Sequence, residues 1–177
     1  MTILKLLYFP NDELRFIAKP VKKINNEIKL LINNMTQIMY KKGGIGLAAT
    51  QIGIHKRIII IDLSNKKNNP LIFINPKLTI LNKIKILNEE GCLSIPKQKY
   101  SIFRYKTIKV QAKNLVNEIF EIEANNLLSY CLQHEIDHLN GILFIDYLSN
   151  LKYQRIYQKM EKIYQKKIRY KKNKIIC

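Results

Sequence analysis

A chain of 177 residues that is 47% apolar and 25% charged is long enough to bury a core and too apolar to be disordered. No apolar run approaches the ~20 residues needed to span a bilayer, which argues against a membrane helix and a membrane partner. The formal net charge of +18, from 31 Lys and Arg against 13 Asp and Glu, suggests an anionic partner, nucleic acid first. Lysine, isoleucine and asparagine crowd the whole chain, as translation of an AT-rich genome would produce, so only local clustering of charge adds weight.

The opening run Met1–Tyr8 is too short for a signal-peptide core and leads directly into Pro10-Asn11-Asp12-Glu13, so no signal peptide is expected. Asn25-Asn26-Glu27 can open a helix: Ile28, Leu31, Ile32, Met35 and Ile38 repeat at helical spacing, and Gly43-Gly44 ends it. The β-branched run Ile58-Ile59-Ile60-Ile61, within Arg57–Leu63, reads as a buried strand. Leu71–Ile74 and Leu78–Leu81 are further strands, interrupted by Asn75-Pro76. Ile108, Val110 and Ala112 alternate with Lys109 and Gln111, and Ile119–Ile122 follows a polar turn, which predicts an antiparallel pair with one wet face. A second helix is expected from about Asn125-Asn126 to Asn140-Gly141, and a last one from about Leu151. The expected fold is α+β, one domain over residues 1–177, with mixed, mostly antiparallel sheets around a central helix that is flanked by an N-terminal and a C-terminal helix.

The central helix carries His134-Glu135-Ile136-Asp137-His138. Residues four apart share a helical face, so both imidazoles can address one metal ion, with Glu135 beside it as a proton acceptor. That arrangement predicts hydrolysis by a metal-activated water. A catalytic site needs a third protein ligand and an open position. A downstream histidine would stand where Phe144 is found, which excludes the protease class that uses one. Glu161 is a second candidate, although a carboxylate among lysines is ordinarily solvated. Cys131 shares the helical face, but its seven-residue separation from His138 is roughly 10 Å of rise. Cys92 is the leading candidate: Glu90-Gly91-Cys92-Leu93-Ser94-Ile95-Pro96 pairs a permissive glycine with a stop to regular structure, as a thiol delivered from a loop or strand end requires. The three cysteines, Cys92, Cys131 and Cys177, are odd in number and scattered, which suits a reducing cytoplasm. A further stretch, Gly43 to Gly53, lacks the Lys-Ser/Thr ending of a phosphate loop. Its small residues allow close backbone approach and Gln51 offers an amide donor, while a tight helix-to-strand connection is the plainer reading.

Together, Gly44–Gln51, Glu90–Ser94 and His134–Gly141 resemble the three motifs of the peptide deformylase family, in order. The resemblance extends through Leu14-Arg15, the Ile58 strand, Asn75-Pro76 and Asp146-Tyr147-Leu148. It implies removal of the formyl group from the N-terminal formylmethionine of nascent polypeptides, with release of formate. It also implies Cys92, His134 and His138 as metal ligands, with Fe(II) the typical ion of bacterial members and zinc, nickel or cobalt able to occupy the site. Glu135 becomes the proton carrier, and the Gln51 side chain and Leu93 backbone N–H the oxyanion donors. The substrate site maps to Ile45, Gly46, Asn88, Gly91, Lys99, Leu127, Tyr130 and Cys131. Asn88 and Tyr130 stand where aliphatic residues are common, and Lys99 where arginine is frequent, which keeps the charge without bidentate geometry.

Lys152, Arg155, Lys159, Lys162, Lys166 and Arg169 recur every three or four residues as a basic stripe, and Lys171, Lys172 and Lys174 extend it. Tyr153, Ile156, Tyr157, Met160, Ile163, Tyr164 and Ile168 fall roughly opposite. A packed amphipathic helix explains this as well as docking to ribosomal RNA near the exit tunnel, which the resemblance suggests. A metalloprotease using Glu161 and a non-catalytic RNA-binding protein are the competing readings. The second accounts for the charge but not for the catalytic set.

Overall fold

The computed structural model describes residues 4–175, with side chains through Gln165. Five strands form one antiparallel sheet: β1 (Gly46–Ala48), β2 (Ile58–Ile61), β3 (Leu71–Ile80), β6 (Thr107–Lys113) and β7 (Ile119–Asn125), in spatial order β1-β2-β3-β6-β7. A separate hairpin pairs β4 (Lys85–Cys92) with β5 (Ile95–Tyr105). Among the described residues the parallel contribution is an isolated bridge between Lys19 and Lys56.

Helix α1 (Asn26–Lys41) begins where Asn25 accepts the Ile28 N–H at 3.1 Å, and ends at Lys42 before Gly43 takes a positive φ of 71°. Its buried face, Ile28, Ile32, Met35 and Met39, packs with Ile58, Ile60 and Ile74. Helix α2 (Asn126–Leu139) packs Leu132, Ile136 and Leu139 with Ile59, Ile61, Phe73, Ile108 and Val110. The isoleucine run is thus buried throughout because its alternate side chains face different helices. α2 is sandwiched between this sheet and the hairpin, which is what brings the hairpin turn to its histidines.

Two expectations need correction. Asn75-Pro76 does not divide two strands. β3 runs through it with a bulge between Ile74 and Lys77, and Asn75 (φ +55°) exchanges side-chain bonds with the Val21 N–H (2.8 Å) and C=O (2.9 Å). Nor does Pro96 end regular structure, because β5 begins one residue earlier. Pro96, Lys97 and Gln98 bulge between the Gly91–Lys99 and Cys92–Ile95 pairs, where the missing proline N–H costs no ladder bond.

Helix α3 spans Asn150–Ile175. Ile156 and Met160 are 1% exposed and join Phe9, Leu14, Ile95, Ile102, Leu143, Phe144 and Ile145 in a third cluster, with Tyr153 and Ile163 alongside. Tyr157 and Tyr164 are more exposed than the packed-face reading expected, at 39% and 38%. The side chains of Lys166, Ile168, Arg169, Lys171, Lys172 and Lys174, and Cys177 itself, lie outside the described residues. No described helix is long and apolar enough to cross a membrane.

Candidate metal centre and active site

His134 and His138 stand on one face of α2 with ring centroids 4.9 Å apart and planes at 87°. Cys92, the last residue of β4, reaches them from the hairpin, its Sγ 3.2 Å from His138 Nε2. The ligand atoms of Cys92, His134 and His138 lie within 4.8 Å of one another, and among the described residues no other His, Cys, Asp or Glu triplet converges in this way. Two imidazoles and a thiol, with room for a further ligand, suit a catalytic divalent ion. Cys131 and Glu161 lie outside the group. Burial first, then the charges of Glu135 and Glu90, push the Cys131 thiol up to about 12. Glu161 sits on α3 and accepts from Gln165 Nε2 at 2.9 Å. Phe144 is core, its ring 6.2 Å from that of His134.

The two histidines differ in protonation preference. Burial, followed by the nearby charges of His134, Arg104 and Arg15, holds His138 well below its ordinary pKa, in the neutral form that binds metal. Burial opposes charge on His134 too, but hydrogen bonds with Cys92 and Glu90 outweigh it and raise its pKa. His134 Nδ1 lies 2.8 Å from Glu90 Oε2, which leaves Nε2 for a ligand bond. Burial pushes Glu135 up to about 7, opposed by His134 and reinforced by Glu90. Its Oε2 and His138 Nδ1 are buried, with no hydrogen-bond partner among the described residues.

Gln51 belongs to a 3-10 turn, Ala49–Ile52, that follows β1. The Ala48 N–H donates to its Oε1 at 2.8 Å, which fixes the amide orientation. Its Nε2 then points to Ser94 Oγ (3.1 Å) and Cys92 Sγ (3.4 Å). Two glycines let these walls close. A Cβ on Gly46 would collide with the Glu135 carboxylate, and one on Gly44 would lie 2.7 Å from Leu93 Cδ1. Leu93 and Ser94 form the β4–β5 turn.

These residues open onto a cavity of about 810 Å³. All eight proposed substrate residues border it: Ile45, Gly46, Asn88, Gly91, Lys99, Leu127, Tyr130 and Cys131, together with Gln51, Cys92, Leu93, His134 and Glu135. Tyr130 is buried, Asn88 half-buried and Lys99 exposed, 3.2 Å from Glu89.

Sequence reading missed a chain that runs from the buried Glu90 and Arg104 behind His134 to the part-buried Asp137. Arg104 Nε and Nη2 donate to the two Glu90 oxygens at 2.7 and 3.1 Å, and its Nη1 donates to Asp137 at 2.6 Å. The Tyr147 hydroxyl also donates to Asp137, at 2.9 Å, and its ring lies under the guanidinium. Desolvation opposes ionisation of Glu90, yet bonds from His134 and Arg104 bring its pKa down to about 2. Arg104 follows Ile102 and Phe103 in a strand, and nothing in its neighbours distinguishes it from a solvated arginine.

A family model of polypeptide deformylases matches residues 3–154. The chain belongs to the polypeptide deformylase family. It is 53% identical to a peptide deformylase of Buchnera aphidicola subsp. Acyrthosiphon pisum over 94% of this chain and 95% of the relative. The crystal structure of a Legionella pneumophila peptide deformylase superposes with a TM-score of 0.87 at 40% identity, covering 95% of this chain and 99% of that one. A Synechococcus elongatus peptide deformylase solved in complex with actinonin gives 0.84 at 39% identity, over 90% and 88% of the two chains. Peptide deformylases are metal-dependent hydrolases. The activity is removal of the formyl group from N-terminal formylmethionine of newly made polypeptides, releasing formate.

Proposed function

We propose that deformylation is carried by Glu135 beside a divalent ion held by Cys92, His134 and His138. The observation that supports this most is the convergence of the three ligand atoms next to a buried Glu135 oxygen that has no hydrogen-bond partner among the described residues. When bound, the ion supplies the Lewis acidity that lets water lose a proton near neutral pH. Glu135, with its pKa raised to about 7, takes that proton as the water oxygen bonds to the formyl carbon, and delivers it to the amine as the carbon–nitrogen bond breaks. Negative charge developing on the formyl oxygen meets the Gln51 amide and the Leu93 backbone N–H, and the Ala48 bond keeps Gln51 Nε2 facing the site. Ile45, Gly46, Asn88, Gly91, Leu127, Tyr130 and Cys131 seat the formylmethionyl end, with Lys99 at the peptide backbone.

Iron(II) is our reading of the ion, carried over from the family resemblance; a thiolate–imidazole set also accepts zinc, nickel or cobalt, and affinity alone does not decide. The deciding assay is formate release from formyl-Met-Ala-Ser by anaerobically purified, iron-loaded protein, repeated with each of the other metals. No formate with any metal would end this reading. We further infer one catalytic domain over residues 1–177, cytoplasmic, that docks on ribosomal RNA through α3. Exposed Lys152, Arg155, Lys159 and Lys162 support that docking.

A further inference from the structure

The charge around the cavity is not balanced. Glu90 is buried and bound by Arg104 and His134, Glu135 is buried, and Glu89 pairs with Lys99. Lys42 and Lys97 border the same cavity and are exposed. Among the described residues neither has a carboxylate within ion-pair distance. Both are held by fixed backbone. Lys42 caps α1, its N–H donating to the Ile38 carbonyl at 3.0 Å. Lys97 sits in the β5 bulge with φ +62°, and its carbonyl accepts from Gln98 Nε2 at 2.7 Å.

We propose that Lys42 and Lys97 form a cationic rim that selects formylmethionyl peptides with Asp or Glu shortly after the methionine. The inference rests on the reading of this cavity as the substrate site. With the formylmethionyl end seated beside Glu135, the following residues leave the cavity past the exposed Lys42 and Lys97 on its border. A carboxylate there gains attraction and a lysine meets repulsion. The contact is remote from the bond that breaks and is equal in ground and transition states, so it lowers KM and leaves kcat unchanged.

The test compares amidated formyl-Met-Ala-X-X peptides with X as Asp, Ser or Lys, using metal-loaded full-length protein at low ionic strength. Exposed ion pairs are modest, so kcat/KM should favour Asp over Lys by about three- to tenfold, shrinking towards equality in high salt. A Lys42→Gln/Lys97→Gln protein should lose the preference. A Lys22→Gln/Lys23→Gln protein, with the same charge removed at the other end of α1, should keep it. Equal kcat/KM for the three peptides overturns the inference alone. So does an equal loss of preference in both double variants, which would assign it to the overall charge. Turnover of none of them overturns the reading of the cavity and the inference with it.

Discussion

Glu135 lies between two constraints: its carboxylate touches the bare backbone of Gly46, and it directly follows His134, a proposed metal ligand. Under the proposed role, Glu135→Gln keeps the ligand set and removes the proton carrier. Turnover should fall by at least about 10²-fold while metal content, measured by elemental analysis, stays at one ion per chain. Metal content also separates Cys92 from Glu161. Cys92→Ser should empty the site and Glu161→Gln should leave it filled, and the reverse pattern would return the chemistry to a carboxylate-ligated site. At this scale the sequence was most legible, because ligand and donor chemistry belongs to residue type. Cys131 illustrates its reach: helical rise alone separated it from the ligand set, and it stands on the cavity wall instead.

Elements supply what residues cannot. The hairpin and α2 are tied by the buried Glu90 and Arg104 and the part-buried Asp137, a set in which each charge has a partner. Arg104→Met leaves Glu90 and Asp137 without their cation, and loss of about 3 kcal/mol in denaturant unfolding is expected. Metal affinity should drop about 10–100-fold, because Glu90 then orients His134 less firmly. A stable variant with unchanged affinity would remove the positioning role. Elsewhere, Asp62 resists the cost of burial through hydrogen bonds from Ser64, Tyr40 and Asn69, which lower its pKa to about 2. A carboxyl depressed below its unfolded value of about 3.9 stabilises the fold fully above that pH and loses the contribution as pH falls towards 2. Asp62→Asn should therefore flatten the fall of Tm between about pH 4 and pH 2. The β4–β5 hairpin escaped sequence reading because both its faces mix polar and apolar side chains: Leu87 and Phe103 are exposed opposite each other, while Arg104 is buried. Burial there depends on α2 and the Phe144–Tyr147 turn, which no local pattern announces.

For the whole molecule, the open question is what the basic end of α3 does. Ile156 and Met160 are core, so cutting the chain after Asn150 would remove packing as well as charge. A cut after Gln165 is the better experiment, since it removes Lys166, Lys167, Arg169, Lys171, Lys172 and Lys174 and spares the described core contacts. If α3 docks on ribosomal RNA, this truncation should weaken ribosome binding and reduce its salt dependence by about 0.7–0.9 log units per lost phosphate contact. Activity on formyl-Met-Ala-Ser should be unchanged. Binding that ignores both salt and truncation would leave α3 a packing element.

The sequence by itself determined the fold class, the helices around the sheet, the family and its chemistry, because periodicity and ligand type are written in local residues. Only the tertiary structure decided how Cys92 meets His138, 46 positions along the chain, why Gly46 must be bare, and which buried charge holds His134. It also decided that one face of α3, through Ile156 and Met160, is core. Each of these depends on desolvation and contact between elements distant in sequence, and burial is a property that no residue carries alone.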